Sequence, residues 1–72
     1  MKKIKKIKIK INGKLKLIDE NYRIQTLIHD LNIPIKKVAI ELNQEIMDKK
    51  KLNKKIIKEN DRIEIVHFIG GG

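Results

Sequence analysis

Cysteine and tryptophan are absent from this chain of 72 residues, proline occurs once, and the aromatic set is one tyrosine and one phenylalanine. Each absence closes a route. Without cysteine there is no disulfide, thiolate nucleophile, zinc knuckle or iron–sulfur ligation. The two histidines, His29 and His67, are too few for a His-rich metal cage, so no metal is expected. No apolar run approaches the ~18 residues of a membrane span. The basic N-terminal run MKKIKKIKIKI lacks the apolar stretch of about 7–15 residues and the small-residue cleavage site of a secretory signal. The chain reads as a soluble, cytoplasmic protein, with a plastid stroma as the other compartment.

What remains is aliphatic and basic. Sixteen isoleucines and 40% hydrophobic residues supply a core, which argues against disorder despite a net charge of +9. The length suits one domain over residues 1–72. A domain so small buries only about 60% of its unfolded surface, so its aliphatic contacts must be efficient.

The positive charge is clustered. Eight lysines lie between Lys2 and Lys16, with no acidic residue before Asp19, and a second cluster spans Lys49 to Lys58. Lysine clusters neutralise phosphates, but arginine forks and aromatic stacking platforms are missing from both stretches, which argues against a nucleic-acid surface. Lysines alternating with isoleucines describe a half-exposed strand.

The pattern along the chain gives the elements. Ile7, Ile9 and Ile11 alternate with Lys6, Lys8 and Lys10, which is the period of a strand with one buried face. Asn12-Gly13 follows, and Leu15 and Leu17 alternate with Lys14 and Lys16. Asn-Gly between alternating runs signals a type I′ hairpin, predicting strands at 3–11 and 14–18. Ile24, Leu27, Ile28 and Leu31 then share one helical stripe. That predicts a helix from Arg23 to Leu31, capped by Asn21 and ended by Asn32 before Pro34. A third strand is expected at 36–42, a turn at Asn43-Gln44, and a short fourth strand from Glu45 to Met47. Residues 48–60 read as a Lys-rich loop pinned by Ile56 and Ile57, with Leu52 as a further anchor. The last strand runs from Arg62 to Ile69. It must lie beside the first, since otherwise each would lack a neighbour. The fold class is α+β: a mixed sheet of about five strands with one packed helix, the β-grasp arrangement.

Gly70, Gly71 and Gly72 close the chain. They add nothing to a core, but a side-chain-free tail threads a narrow channel and reaches ~10 Å beyond the fold. A terminal carboxylate, with a reference pKa of about 3.3–3.7, is ionised at neutral pH. It is a poor electrophile until it attacks the α-phosphate of ATP, releasing pyrophosphate and forming an acyl-adenylate. A sulfur nucleophile can then displace AMP and leave a thiocarboxylate. No catalytic residue is expected in the chain beyond this end. With Ile63 and Ile65 facing the core, Val66 and Phe68 are expected to face outward as an apolar docking patch; the alternative is a bulge that turns Phe68 inward. His67 reads as a half-exposed residue at the strand end, His29 as solvated, and Tyr22 as a lid over the start of the helix.

The closing run DRIEIVHFIGGG, with the Asn12-Gly13 turn, the LIHDL helix and the VAIELNQEI hairpin, resembles the ThiS family of sulfur carrier proteins of thiamine biosynthesis. The resemblance covers the whole chain and is most specific in the last twelve residues. It implies a ubiquitin-like β-grasp fold and a carrier, not an enzyme, with no stably bound cofactor. It further implies a ThiF-like adenylating enzyme that uses ATP, a sulfur donor such as a cysteine desulfurase, and a ThiG-like thiazole synthase as recipient. Carried over by position, Gly72 bears the adenylate and then the thiocarboxylate, while Gly70 and Gly71 thread the partner's active site. The competing readings are a MoaD-like carrier for molybdopterin synthesis, a ubiquitin-like modifier joined to lysines, and a basic β-grasp module that binds RNA.

Overall fold

The computed structural model describes residues 5–68. Five strands and one helix follow in the order β1 (Lys6–Ile11), β2 (Lys14–Asp19), α1 (Ile24–Asp30), β3 (Val38–Leu42), β4 (Glu45–Ile46) and β5 (Arg62–His67). Single 3-10 turns lie at Ile35–Lys37 and Lys49–Lys51. The sheet order is β2-β1-β5-β3-β4. β1 and β5 run parallel and the other neighbours are antiparallel, so the sheet is mixed. The last strand lies beside the first, as the sequence argument required.

Both hairpins turn on two residues with positive φ. Asn12 and Gly13 sit at 49° and 82°, and Asn43 and Gln44 at 51° and 73°. Positive φ at both central positions is the type I′ signature, whose twist matches that of the flanking strands. In the first hairpin the turn fixes the register Ile11–Lys14, Ile9–Lys16 and Ile7–Ile18. Residues paired this way share a face, so the core face of β2 carries Lys14, Lys16 and Ile18. Only Ile18 is buried, and Leu15 and Leu17 are 70% and 62% exposed on the outer face.

The helix is shorter than the expected span. Arg23 is its N-cap in extended geometry, with no side-chain capping bond. Asn21 instead occupies a turn at φ 65°, two residues too early to reach the helix's free amides. At the other end Asn32 takes φ 56°. Its amide donates to His29 O, and the Ile33 amide to Ile28 O at 3.1 Å. These two bonds form a Schellman motif, which satisfies the last carbonyls and swings Ile33 back over Ile28. The motif places Leu31 at the C-cap, so the fourth residue of the stripe stays exposed while Ile24, Leu27 and Ile28 are buried.

These three pack on Ile7, Ile9, Val38, Ile40, Ile63 and Ile65 of the sheet. Leu52 and Ile57 close the core from the Lys-rich segment. Ile56 is 38% exposed and lies outside the core cluster, and its backbone bridges to Arg23. Alternation along a short bridging stretch lets only one of two adjacent isoleucines face inward, and that one is Ile57. Tyr22 is half-buried against the core and its hydroxyl donates to the Asp30 carboxylate, tying the chain before the helix to the helix's end. Among the described residues no helix is long and apolar enough to cross a membrane.

Candidate functional site

β5 is the middle strand of the sheet, and it carries the chain toward its last residues. Its start is fastened with unusual density. The Asn43 side chain donates to Asp61 Oδ1 at 3.0 Å and accepts from the Arg62 amide at 2.9 Å. Asp61 Oδ2 also accepts from the Lys58 amide at 2.8 Å. On the other side, Asn12 Oδ1 accepts from the Ile65 amide at 2.8 Å. Each turn asparagine therefore also satisfies a backbone group of β5 where the neighbouring strand has already turned away. Nothing in the local pattern reveals this, because the bonded groups are far apart along the chain.

At its far end β5 pairs with β3, His67 opposite Val38 and Val66 opposite Ala39. The Phe68 amide still donates to Lys37 O at 2.9 Å, so the strand is held to its last described residue. Ile63 and Ile65 face the core, and Val66 and Phe68 are 46% and 52% exposed. The inward bulge at Phe68 does not occur. The end of β5 therefore presents two apolar side chains just before the glycines. Gly70, Gly71 and Gly72, the residues expected to carry the chemistry, lie outside the described residues.

One neighbour was not legible in the sequence. The ammonium of Lys49 stands 5.4 Å from the centroid of the Phe68 ring, within range of a cation–π attraction worth about 0.5–1 kcal/mol at an exposed site. Lys49 is held by a 3-10 turn whose cap, Asp48, accepts from the Lys50 amide at 2.9 Å. Leu52, buried just beyond, anchors the same turn. So the Lys-rich stretch read as a loop folds against the end of β5. Lys37, whose carbonyl accepts from the Phe68 amide, ends the 3-10 turn that enters β3, so Phe68 is approached by the Lys49 ammonium and by the backbone of Lys37.

The remaining singled-out residues are ordinary. His29 is exposed, 3.7 Å from Asp30, and His67 is exposed at the strand end. Glu64 lies opposite Glu41 on the outer face of the sheet. Among the described residues no group of three or more metal-binding side chains comes together.

Comparison with known proteins gives a consistent result. A family model described as the ThiS family matches residues 9–72. The chain is 37% identical over 65 residues to the sulfur carrier protein ThiS of Bacillus subtilis, covering 89% of this chain and 98% of that one. It is 35% identical over 66 residues to a thiazole synthase of Paramagnetospirillum magneticum, covering 92% of this chain. It spans only 20% of that synthase's length. The crystal structure of a thiamine biosynthesis protein (ThiS) from Geobacter metallireducens superposes with a TM-score of 0.81 at 28% identity, covering 92% of this chain and 100% of that one.

Proposed function

The chain belongs to the ThiS family, and on that premise we propose that it is a sulfur carrier for synthesis of the thiamine thiazole ring. The observation that carries the reading is the match of residues 9–72 to the family model, which includes the terminal glycines. The geometry supports it: a central strand, fastened at its start and held by backbone pairing to Phe68, leads the chain out of the core just before those glycines. The reaction needs a free carboxyl on Gly72. That carboxylate attacks the α-phosphate of ATP in a ThiF-like enzyme and expels pyrophosphate. A persulfide from a donor such as a cysteine desulfurase displaces AMP, and a thiol then attacks the donor's sulfur of the resulting acyl disulfide, forming a new disulfide and releasing the thiocarboxylate. The carrier supplies a substrate rather than a catalyst, and no cofactor of its own is needed. The proposed setting is the cytosol, where ATP and the adenylating enzyme meet.

A ThiG-like recipient has its own support. The thiazole synthases of Paramagnetospirillum magneticum and Magnetococcus marinus each contain a stretch similar to 92% of this chain within a protein about five times the length of the match. A carrier-like segment and a thiazole synthase share one polypeptide there, which favours the same pairing here.

Intact mass tests the reading. Incubation with ATP, a ThiF-like enzyme and a sulfur donor should raise the mass by the difference between sulfur and oxygen. Adding an alanine after Gly72 should abolish the gain. A gain with a molybdopterin-type activating enzyme, and none with the ThiF type, would move the protein to the MoaD reading.

Val66 and Phe68 are the proposed docking patch for the activating enzyme and the synthase. Phe68→Ala should weaken binding about 5–30-fold, as for a buried aromatic anchor worth 1–2 kcal/mol. Its urea midpoint should stay close to that of the parent. A large loss of stability without loss of binding would return Phe68 to a structural role.

A further inference from the structure

β2 lies at one edge of the sheet, so one of its sides has no backbone partner among the described residues. The register decides which groups face that side. The Glu20 amide donates to Lys5 O at 2.8 Å, and this pair continues the ladder in which Ile7 faces Ile18 and Ile9 faces Lys16. Hydrogen-bonded pairs alternate with non-hydrogen-bonded ones along an antiparallel ladder. Lys14, Lys16 and Ile18 therefore direct their backbone groups to β1. Leu15 and Leu17 turn theirs outward. The same two residues carry the most exposed large apolar side chains of β2, at 70% and 62%. The opposite face of the strand shows Lys14 and Lys16, both exposed and neither in an ion pair among the described residues.

We propose that β2 is a strand-addition site, and that its occupant is an extended segment of a partner protein in which acidic and aliphatic residues alternate. An added strand shares the pleat of its neighbour, so its side chains point alternately to the two faces. Aliphatic residues would cover Leu15 and Leu17, and carboxylates would stand beside Lys14 and Lys16. Charge complementarity selects this occupant over the alternatives. A second copy paired through its own β2 would set lysine against lysine, the arrangement by which edge strands resist self-association. A nucleic acid would find phosphate-neutralising lysines but no aromatic side chain on β2 to stack its bases.

The site is separate from the far end of β5. Leu15 pairs with Lys10, which pairs with Arg62, and Phe68, just past the end of β5, lies six residues further along the chain, ~20 Å at the rise of a strand. A partner could hold the carrier by β2 while the glycines enter another active site. The inference does not depend on the sulfur-carrier reading.

The test uses the full chain, isotopically labelled, and a capped seven-residue peptide alternating glutamate and valine. At ten times the peptide's Kd, amide exchange at Leu15 and Leu17 should slow about tenfold, the reciprocal of the free fraction. The amides of Lys14, Lys16 and Ile18 should change little, since they are already bonded to β1. A peptide N-methylated on its pairing edge should lose binding, and a Lys–Val peptide should not bind. The double variant Lys14→Glu, Lys16→Glu should reverse the preference between the two peptides. Equal binding by the methylated peptide would overturn the proposal, because attraction would then be charge alone. So would protection centred on Phe68, or stronger protection of Leu15 and Leu17 by oligouridylate than by the acidic peptide.

Discussion

β1 and β2 are written in nearly the same code and meet opposite fates. Each alternates lysine with an aliphatic residue, yet Ile7 and Ile9 of β1 are buried while Leu15 and Leu17 of β2 face solvent. Alternation states that a strand has two faces; it does not say which one meets the core. The turn says that. A two-residue turn pairs Ile11 with Lys14, and every later pair keeps the same face. Once β1 commits its isoleucines inward, β2 must send its leucines outward, and only Ile18, at the break in the alternation, returns to the core. The lysines of β2 cost little on the core side because they stand at the sheet edge, where both are exposed.

The comparison breaks most visibly at Ile9. Replacing it with alanine removes buried methyl and methylene groups from a site that is 1% exposed, and such deletions cost about 2–5 kcal/mol. In a domain of this size that is a large share of the total stability. Ile9→Ala should unfold at a much lower urea concentration or be unfolded outright, as read by circular dichroism. A loss below about 1 kcal/mol would mean that β1 does not carry the core.

Much of this contrast is legible in the sequence alone. The Asn12-Gly13 turn and the helical stripe follow from local patterns, and the pairing of the first and last strands follows from the need of each for a neighbour in the sheet. The outward leucines are also implicit, since the hairpin register follows from the turn length. Other features could not be read. Lys49 meets Phe68 only because the segment after β4 folds back across the sheet's end, and no local pattern encodes a meeting so distant in sequence. The same holds for the Asn12 and Asn43 side chains that fasten β5. Leu31 fits the stripe yet stays exposed, because the Schellman motif at Asn32 ends the helix before a fourth stripe residue can face inward. The candidate site divides in the same way: Val66 and Phe68 were legible from alternation, whereas the approach of Lys49 to Phe68 was not.

The two turns offer a smaller test of what sets the register. Gly13 at φ 82° has open space where a Cβ would stand, so Gly13→Ala meets no clash, only left-handed strain. That strain is worth about 1–2 kcal/mol, partly offset by the stiffer unfolded chain, and a net loss of about 1 kcal/mol is expected. Gln44 bears the same strain at φ 73°, and Gln44→Gly should recover up to about 1 kcal/mol. Denaturant midpoints of the two variants should move in opposite directions. Movement in the same direction would show that the hairpins are not held by their positive-φ pairs.

The smallest expected effect is the most informative about β2. Leu17→Thr keeps a strand-forming residue and removes an aliphatic side chain from a position that is already mostly in water. Surface changes of this kind fall within about 0.5 kcal/mol of neutral. The melting curve should therefore be nearly superimposable on that of the parent, beside the collapse expected of Ile9→Ala. If Leu17→Thr instead costs more than about 1.5 kcal/mol, the outer leucines contribute to folding and the two strands are less different than their burial states. If stability is unchanged while the acidic peptide is lost, the leucine serves the strand's free edge, which is the role that its outward backbone groups leave open to it.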